Sequence, residues 1–183
     1  MADSAPLRVF SSTHDLIGSV GEELGPSPWM TVEQPAVDAF ADVTQDWQAL
    51  HCDPAFAGGS RYGVTIAHGY FTVSLLSMFA RQLYRVDGVS DIINYGIDRL
   101  RFPAPVPVGS RIRARATLTS VSAKSGLVLA GVNYVVEIEG SPRPGLVADT
   151  LVALVPETAA EVPEVPEVPE VPEVPEVPEV AGV

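Results

Sequence analysis

Four strand-like runs follow one another from Ile92 to Leu154: Ile92–Phe102, Ser110–Ser120, Leu127–Glu139 and Gly145–Leu154. The second contains Arg111-Ile112-Arg113-Ala114-Arg115-Ala116, the period of two expected of a half-exposed strand. Pro103, Pro105, Pro107 and Gly109 part the first two runs. Lys124-Ser125-Gly126 and Gly140-Ser141-Pro142 read as turns between the others. What precedes them is helical. The strongest signal spans Ala67 to about Tyr84, with Phe71, Val73, Leu75, Leu76, Met78, Phe79 and Leu83. Apolar residues lie almost all round its first half, as in a buried central helix. Shorter helices are expected over Ser11–Leu24, capped by Ser12 or Thr13, and over Gln34–Val43. Trp29–Val32 reads as a short strand. Helices first and adjacent strands after give an α+β fold with a mostly antiparallel sheet.

The chain has 183 residues, of which 46% are hydrophobic, enough for one domain with a sizeable core. Residues 1–157 are read as that domain and 158–183 as a tail. From Glu161 the sequence is Glu-Val-Pro six times, ending Glu179-Val180. Proline every third residue removes amide donors and fixes φ, so a solvated, polyproline-like extension is expected. It reads as a spacer or as a docking arm whose partner is unknown. Seven tail glutamates account for much of the formal charge of −12 and leave −5 without them. No basic patch suggests nucleic acid. No apolar run reaches the length of a membrane span, and the start lacks a secretory pattern. Cys52 is the single cysteine, so no disulfide forms within the chain. A reduced, cytoplasmic protein is expected.

The stretch Asp46-Trp47-Gln48-Ala49-Leu50-His51-Cys52-Asp53-Pro54 places a carboxylate and an imidazole five positions apart on a loop. One reading makes Asp46 a turn cap and His51 a satisfied loop residue. The other lets both hold one water, His51 withdrawing a proton while Asp46 orients the water or supplies one. Thr65-Ile66-Ala67-His68-Gly69 follows. Gly69 opens the long helix, either for close packing or to aim a free amide at an oxygen gaining negative charge. His68 is read as a structural residue bonding backbone near the site, with a second base as the alternative. A metal held by His51, Asp53 and His68 is disfavoured, because the spacing matches no familiar metal motif. Cys52 reads as a filler beside His51, since neighbours on an extended chain point apart. Arg111, Arg113 and Arg115 are either phosphate contacts or a solvated strand face. Tyr62, Asn94 and Tyr95 are candidate pocket residues.

The motif Asp46-x-Gln-x-x-His51-x-Asp-Pro, then Ile66-Ala67-His68-Gly69, then Arg101-Phe102-x-x-Pro105-Val106-x-x-Gly109-Ser110, resembles the MaoC-like dehydratases, the R-specific enoyl-CoA hydratases. The resemblance runs from about Val9 to about Val155. It implies a hotdog fold, a long central helix wrapped by a curved antiparallel sheet. It implies Asp46 and His51 as the catalytic pair, Gly69 as the oxyanion-hole residue, and His68 and Gln48 in support. The implied reaction is reversible syn hydration of a trans-2-enoyl-CoA, with no metal or other cofactor, coenzyme A being part of the substrate. A hotdog thioesterase and a non-catalytic acyl-thioester-binding subunit are the alternatives. A homodimer is implied, and the apolar run Leu127–Val136 would need its cover. Many members carry Gly where this chain has Gln45, and Asn-Pro where it has Gln48-Ala49; a branch carries Gln at that Asn position.

Overall fold

The computed structural model describes residues 6–158 and 162–164. In chain order the elements are β1 (Arg8–Phe10), α1 (Thr13–Gly18), β2 (Glu23–Leu24), β3 (Met30–Thr31), α2 (Gln34–Thr44), α3 (Ala49–Cys52), α4 (Pro54–Gly58), α5 (Gly69–Ser74), α6 (Leu76–Leu83), β4 (Tyr84–Val86), β5 (Val89–Arg101), β6 (Arg111–Lys124), β7 (Leu127–Ile138) and β8 (Leu146–Pro156). The main sheet has the order β2-β6-β7-β8-β5, with β3 also on β6. All its pairings are antiparallel. The four long strands of the sequence reading are β5 to β8, within a few residues at each end.

The central helix is built from α5 and α6, joined through Leu75. Its Phe71, Leu76, Phe79 and Leu83 are buried in one cluster with Ile112, Ala114, Val132, Tyr134, Val136 and Ala148 of the sheet. This is the α+β, hotdog arrangement of a helix against an antiparallel sheet. Burying each such side chain is worth about 1.5–3 kcal/mol, so the helix is held by its contacts with the sheet more than by its own propensity.

Three local departures from the sequence reading have physical causes. The N-terminal helix stops at Gly18 instead of reaching Leu24. Ser12 caps it by accepting from the Asp15 amide. Gly21 then turns the chain at φ 92°, and Leu24 is buried as a strand residue opposite Ala116. Tyr84 opens β4 instead of closing the helix, because Tyr84–Val86 pairs in parallel with Arg8–Phe10. Finally, Leu127–Val136 does not need a second copy to cover it. It is an interior strand, and Val128, Leu129, Ala130 and Val132 are buried within one chain. The exposed apolar strand is β5, at the sheet edge, where Ile92, Ile93, Tyr95 and Ile97 are 44–51% exposed.

The arginines of β6 are committed to neighbours. Arg111 pairs with Glu139 at 2.9 Å, and Arg115 with Glu23 at 2.6 Å and Glu137 at 3.0 Å. Arg113 pairs with Glu137 and lies over the Trp29 ring. Burial alone would raise the Glu137 carboxyl, but hydrogen bonds from Arg113 and Arg115 outweigh it and hold the group below its usual range. This is the solvated, paired strand face, and a phosphate there must displace a glutamate.

Among the described residues no helix is long and apolar enough to cross a membrane. Most of the Glu-Val-Pro tail lies outside the described residues. Within them, Pro163 of the first repeat is buried. Cutting the chain after Glu164 is therefore expected to leave the melting temperature unchanged. Cutting after Glu157 removes Pro163 and is expected to cost on the order of 1 kcal/mol, a few degrees in Tm. Thermal melts of the two truncations check this, and equal melts would show that the first repeat adds nothing.

Candidate active site

Helix α2 ends at Gln45, which adopts φ 60° and ψ 26°. That left-handed turn swings the chain into the segment carrying Asp46. It costs an ordinary side chain roughly 1–2 kcal/mol and glycine almost nothing, which gives a physical reason for the glycine many members carry here. Gln48 is the N-cap residue of α3, and its carbonyl accepts from the His51 amide at 2.8 Å. His51 thus sits on a short helical turn, not on an open loop. Asp53 caps the next helix, its carboxylate accepting from the amides of Ala55 and Phe56. Asp53 is thereby spent on local structure, which removes it from the ligand set considered with His51 and His68.

The strip Thr65–His68 lies alongside. The Ile66 amide donates to the Leu50 carbonyl at 3.1 Å, and His51 Nδ1 meets the Ile66 carbonyl at 2.7 Å. On the other side, Ala67 donates to the Val106 carbonyl at 2.8 Å. His68, 3% exposed, donates from Nε2 to the Asp46 carbonyl at 2.9 Å. Its Nδ1 is buried and has no partner among the described residues. The His51 and His68 rings stack with centroids 3.8 Å apart and 31° between planes, and Phe40 packs on His68. One donor atom each from Asp46, His51 and His68 lies within 4.8 Å of the others. The structure therefore brings Asp46, His51 and His68 together, while Gln48 contributes backbone and makes no side-chain cap.

Gly69 is the first residue of α5. A Cβ there would lie 2.9 Å from the Phe102 ring, so the glycine lets Phe102 lie against the helix start. The close-packing reason for this glycine holds, and the free amide stands beside it.

Gln34 went unrecognised in the sequence. Its Nε2 donates to the His51 carbonyl at 2.8 Å and to Asp38 at 2.7 Å, and its Oε1 accepts from Thr65. A glutamine in the first turn of a helix carries no local signal of this; only the fold reveals its partners. Cys52 shares the α3 turn with His51, so the extended-chain argument for its inertness does not apply. Partial burial, and after it the charges of Asp38, Asp42 and Asp46, raise its thiol above the ordinary value. It stays protonated and is no nucleophile. Asn94 and Tyr95 line a cavity of about 600 Å³ between the central helix and β5; Tyr62 does not.

Residues 16–138 match the MaoC like domain. The 3-hydroxyacyl-thioester dehydratase Z of Mycobacterium tuberculosis is 47% identical over 150 residues, 81% of this chain and 99% of that one. An (R)-specific enoyl-CoA hydratase of Aeromonas caviae is 35% identical over 85 residues, 46% of this chain and 60% of that one. The solved structure of the A. caviae (R)-hydratase involved in PHA biosynthesis aligns with TM-score 0.61 at 26% identity, covering 73% of this chain and 94% of that one. Fold and relatives together define a hotdog enzyme of the hydratase–dehydratase type. The chain belongs to the MaoC-like dehydratase family.

The strained turn before Asp46 is testable on stability. Gln45→Gly relieves the left-handed backbone and gives back part of that gain as unfolded-state entropy, so a net stabilisation of about 0.5 kcal/mol is expected. Urea unfolding of the variant checks it; a loss of stability would place the side chain, not the turn, in control.

Proposed function

We propose that the enzyme catalyses reversible syn addition of water to trans-2-enoyl-CoA, giving the R-3-hydroxyacyl-CoA, with Asp46 and His51 as the acid–base pair. The observation carrying this reading is the bond between His51 Nδ1 and the Ile66 carbonyl. A carbonyl only accepts, so Nδ1 carries a proton, and in the neutral ring it is Nε2 that holds the lone pair. The Asp46 carboxylate makes no hydrogen bond among the described residues. Two atoms that share one water at about 2.8 Å each lie roughly 4.6 Å apart, which suits the 4.8 Å span of the cluster. A metal suits it less. Stacked rings send their in-plane lone pairs side by side, whereas an ion about 2.1 Å from each nitrogen needs them to converge.

The chemistry follows from that placement. The oxygen of the held water bonds C3 while His51 Nε2 takes one of its protons. The C2–C3 π pair moves into the thioester, and its oxygen gains charge in front of the Gly69 amide. A proton returned from the pair to C2 restores the carbonyl. Hydrogen and hydroxyl have been added to one face, and no electrons are gained or lost, so no redox cofactor is required. Gln34 holds the carbonyl of His51 and so supports the base from behind.

Asp46→Asn and His51→Gln are each expected to lower hydration of crotonyl-CoA by about 10²–10⁴-fold with the fold intact. Because both groups serve one water, the double variant should be little worse than either single one. Steady-state rates, circular dichroism and chiral analysis of the product decide it. A folded His51→Gln enzyme within about threefold of wild type, far below the acid–base range, would sink the assignment.

We also propose a homodimer formed along β5. This strand is 13 residues long, forms one edge of the sheet and exposes apolar side chains, a combination that invites pairing with another copy. Sedimentation should give twice the 19.4 kDa chain mass, and Ile93→Lys should shift the mass toward one chain. A single-chain mass for the wild type at micromolar concentration would refute it.

A further inference from the structure

The cavity between the central helix and β5 has a polar inner end that the hydration chemistry does not use. Its helix wall begins at Val73, one turn past Gly69, and continues through Ala80 and Arg81 to Tyr84. From Val73 to Arg81 that is roughly 12 Å of helix. With the thioester oxygen at Gly69, an acyl tail entering this cavity runs away from the reacting carbons toward Tyr84. The direction of the tail rests on the reaction proposed above.

Tyr84 and Tyr134 line the cavity and are 8% and 2% exposed. Their hydroxyl oxygens lie 3.2 Å apart, and neither hydroxyl bonds another described residue. Two hydroxyls bring two protons, and their mutual bond uses one. One O–H donor therefore remains on a nearly buried tyrosine. Burial raises both phenols above their ordinary value, so both stay protonated. Arg81 and Asn94 line the same cavity, and their side chains make no hydrogen bond or ion pair among the described residues. Thr150 differs, since its hydroxyl is spent on the Val132 carbonyl. The upper wall is apolar, with Val73, Leu76 and Val152. A plain alkyl tail satisfies that wall but covers the remaining O–H, which costs about 1–3 kcal/mol when it is left unpaired.

We propose that this cavity selects acyl tails carrying an oxygen acceptor in their outer half, with the Tyr84–Tyr134 pair as the specificity-determining donor. Discrimination by a donor that an analogue leaves unpaired is stronger than discrimination by a methylene. The acceptor is a carbonyl or carboxylate oxygen; an ion pair with Arg81 would distinguish the second from the first.

Binding tests this without relying on turnover. Dodecanoyl-CoA is compared by calorimetry with the same saturated chain carrying one keto oxygen at successive positions along its outer half, and with the matching terminal carboxylate. Wild type is expected to bind one keto isomer about tenfold tighter than the plain chain, which corresponds to one satisfied hydrogen bond. The double variant Tyr84→Phe/Tyr134→Phe, checked for folding, should bring that ratio to about one, whereas either single variant keeps one hydroxyl proton to donate. The Arg81→Gln variant should weaken the carboxylate alone if that oxygen is the occupant. A wild type that binds the plain chain as tightly as every keto isomer overturns the proposal, as does a keto preference that survives loss of both hydroxyls in the double variant. If crotonyl-CoA is not hydrated at all, the reaction proposed above fails instead, and the binding ratios still decide this one.

Discussion

The site depends on one strip of backbone, Thr65 to His68, that belongs to no named strand. It is bonded on both sides. Toward the Asp46–His51 segment it gives the Ile66 amide to Leu50, takes Nδ1–H of His51 on its carbonyl, and sends the His68 ring to the Asp46 carbonyl. Toward the sheet it gives the Ala67 amide to Val106 and takes the Val108 amide on Thr65. Each bond is worth only about 0.5–1.5 kcal/mol net. Their value lies in register. A slip of one residue would exchange inward and outward groups along the strip. The carbonyl that sets the His51 tautomer would turn away, and His68 would lose Asp46.

That strip explains which parts of the molecule were legible in the sequence. Period and punctuation gave away the long strands, because β6 to β8 bury alternate side chains and end at glycine- and proline-rich turns. Helix α2 was legible from its spacing. The two catalytic candidates were legible because both are chemically distinctive and near in sequence. Gln34 was not, since its three partners come from α2, α3 and the strip, and none is set by local sequence. The parallel pair β1–β4 was equally hidden. Three residues bury too little to show a period, and their partner lies more than seventy positions away. Leu127–Val136 was read correctly as an apolar strand but assigned the wrong neighbour. Apolar content reveals that a strand is covered and says nothing of what covers it. Its own chain covers β7, and the open edge passes to β5.

Charge is distributed with the same economy. The arginines that looked available for phosphate are tied to Glu23, Glu137 and Glu139 on a solvated face. Exposed pairs of this kind add little stability, a median of about 0–1 kcal/mol. Their effect is to leave that face with few unpaired cations. Around Cys52 it is burial first, and after it the charges of Asp38, Asp42 and Asp46, that raise the thiol above its ordinary value. A thiolate beside His51 would compete for the proton that the imidazole takes in the proposed hydration. The surroundings of the site thus favour one base over another nucleophile.

Several places where the molecule departs from good folding practice lie at the proposed site, cavity or dimer edge. Gln45 holds a left-handed backbone next to Asp46. His68 keeps a buried nitrogen with no partner among the described residues, beside His51. Ile92, Ile93, Tyr95 and Ile97 leave apolar surface on the edge strand. Tyr84 and Tyr134 hold one more proton than their own bond can use. A sequence under pressure for stability alone would remove each of these, and proteins usually retain such conflicts at functional positions. The buried His68 nitrogen is the most telling. It cannot be relieved by rotating the ring, because Nε2 already holds Asp46 in place.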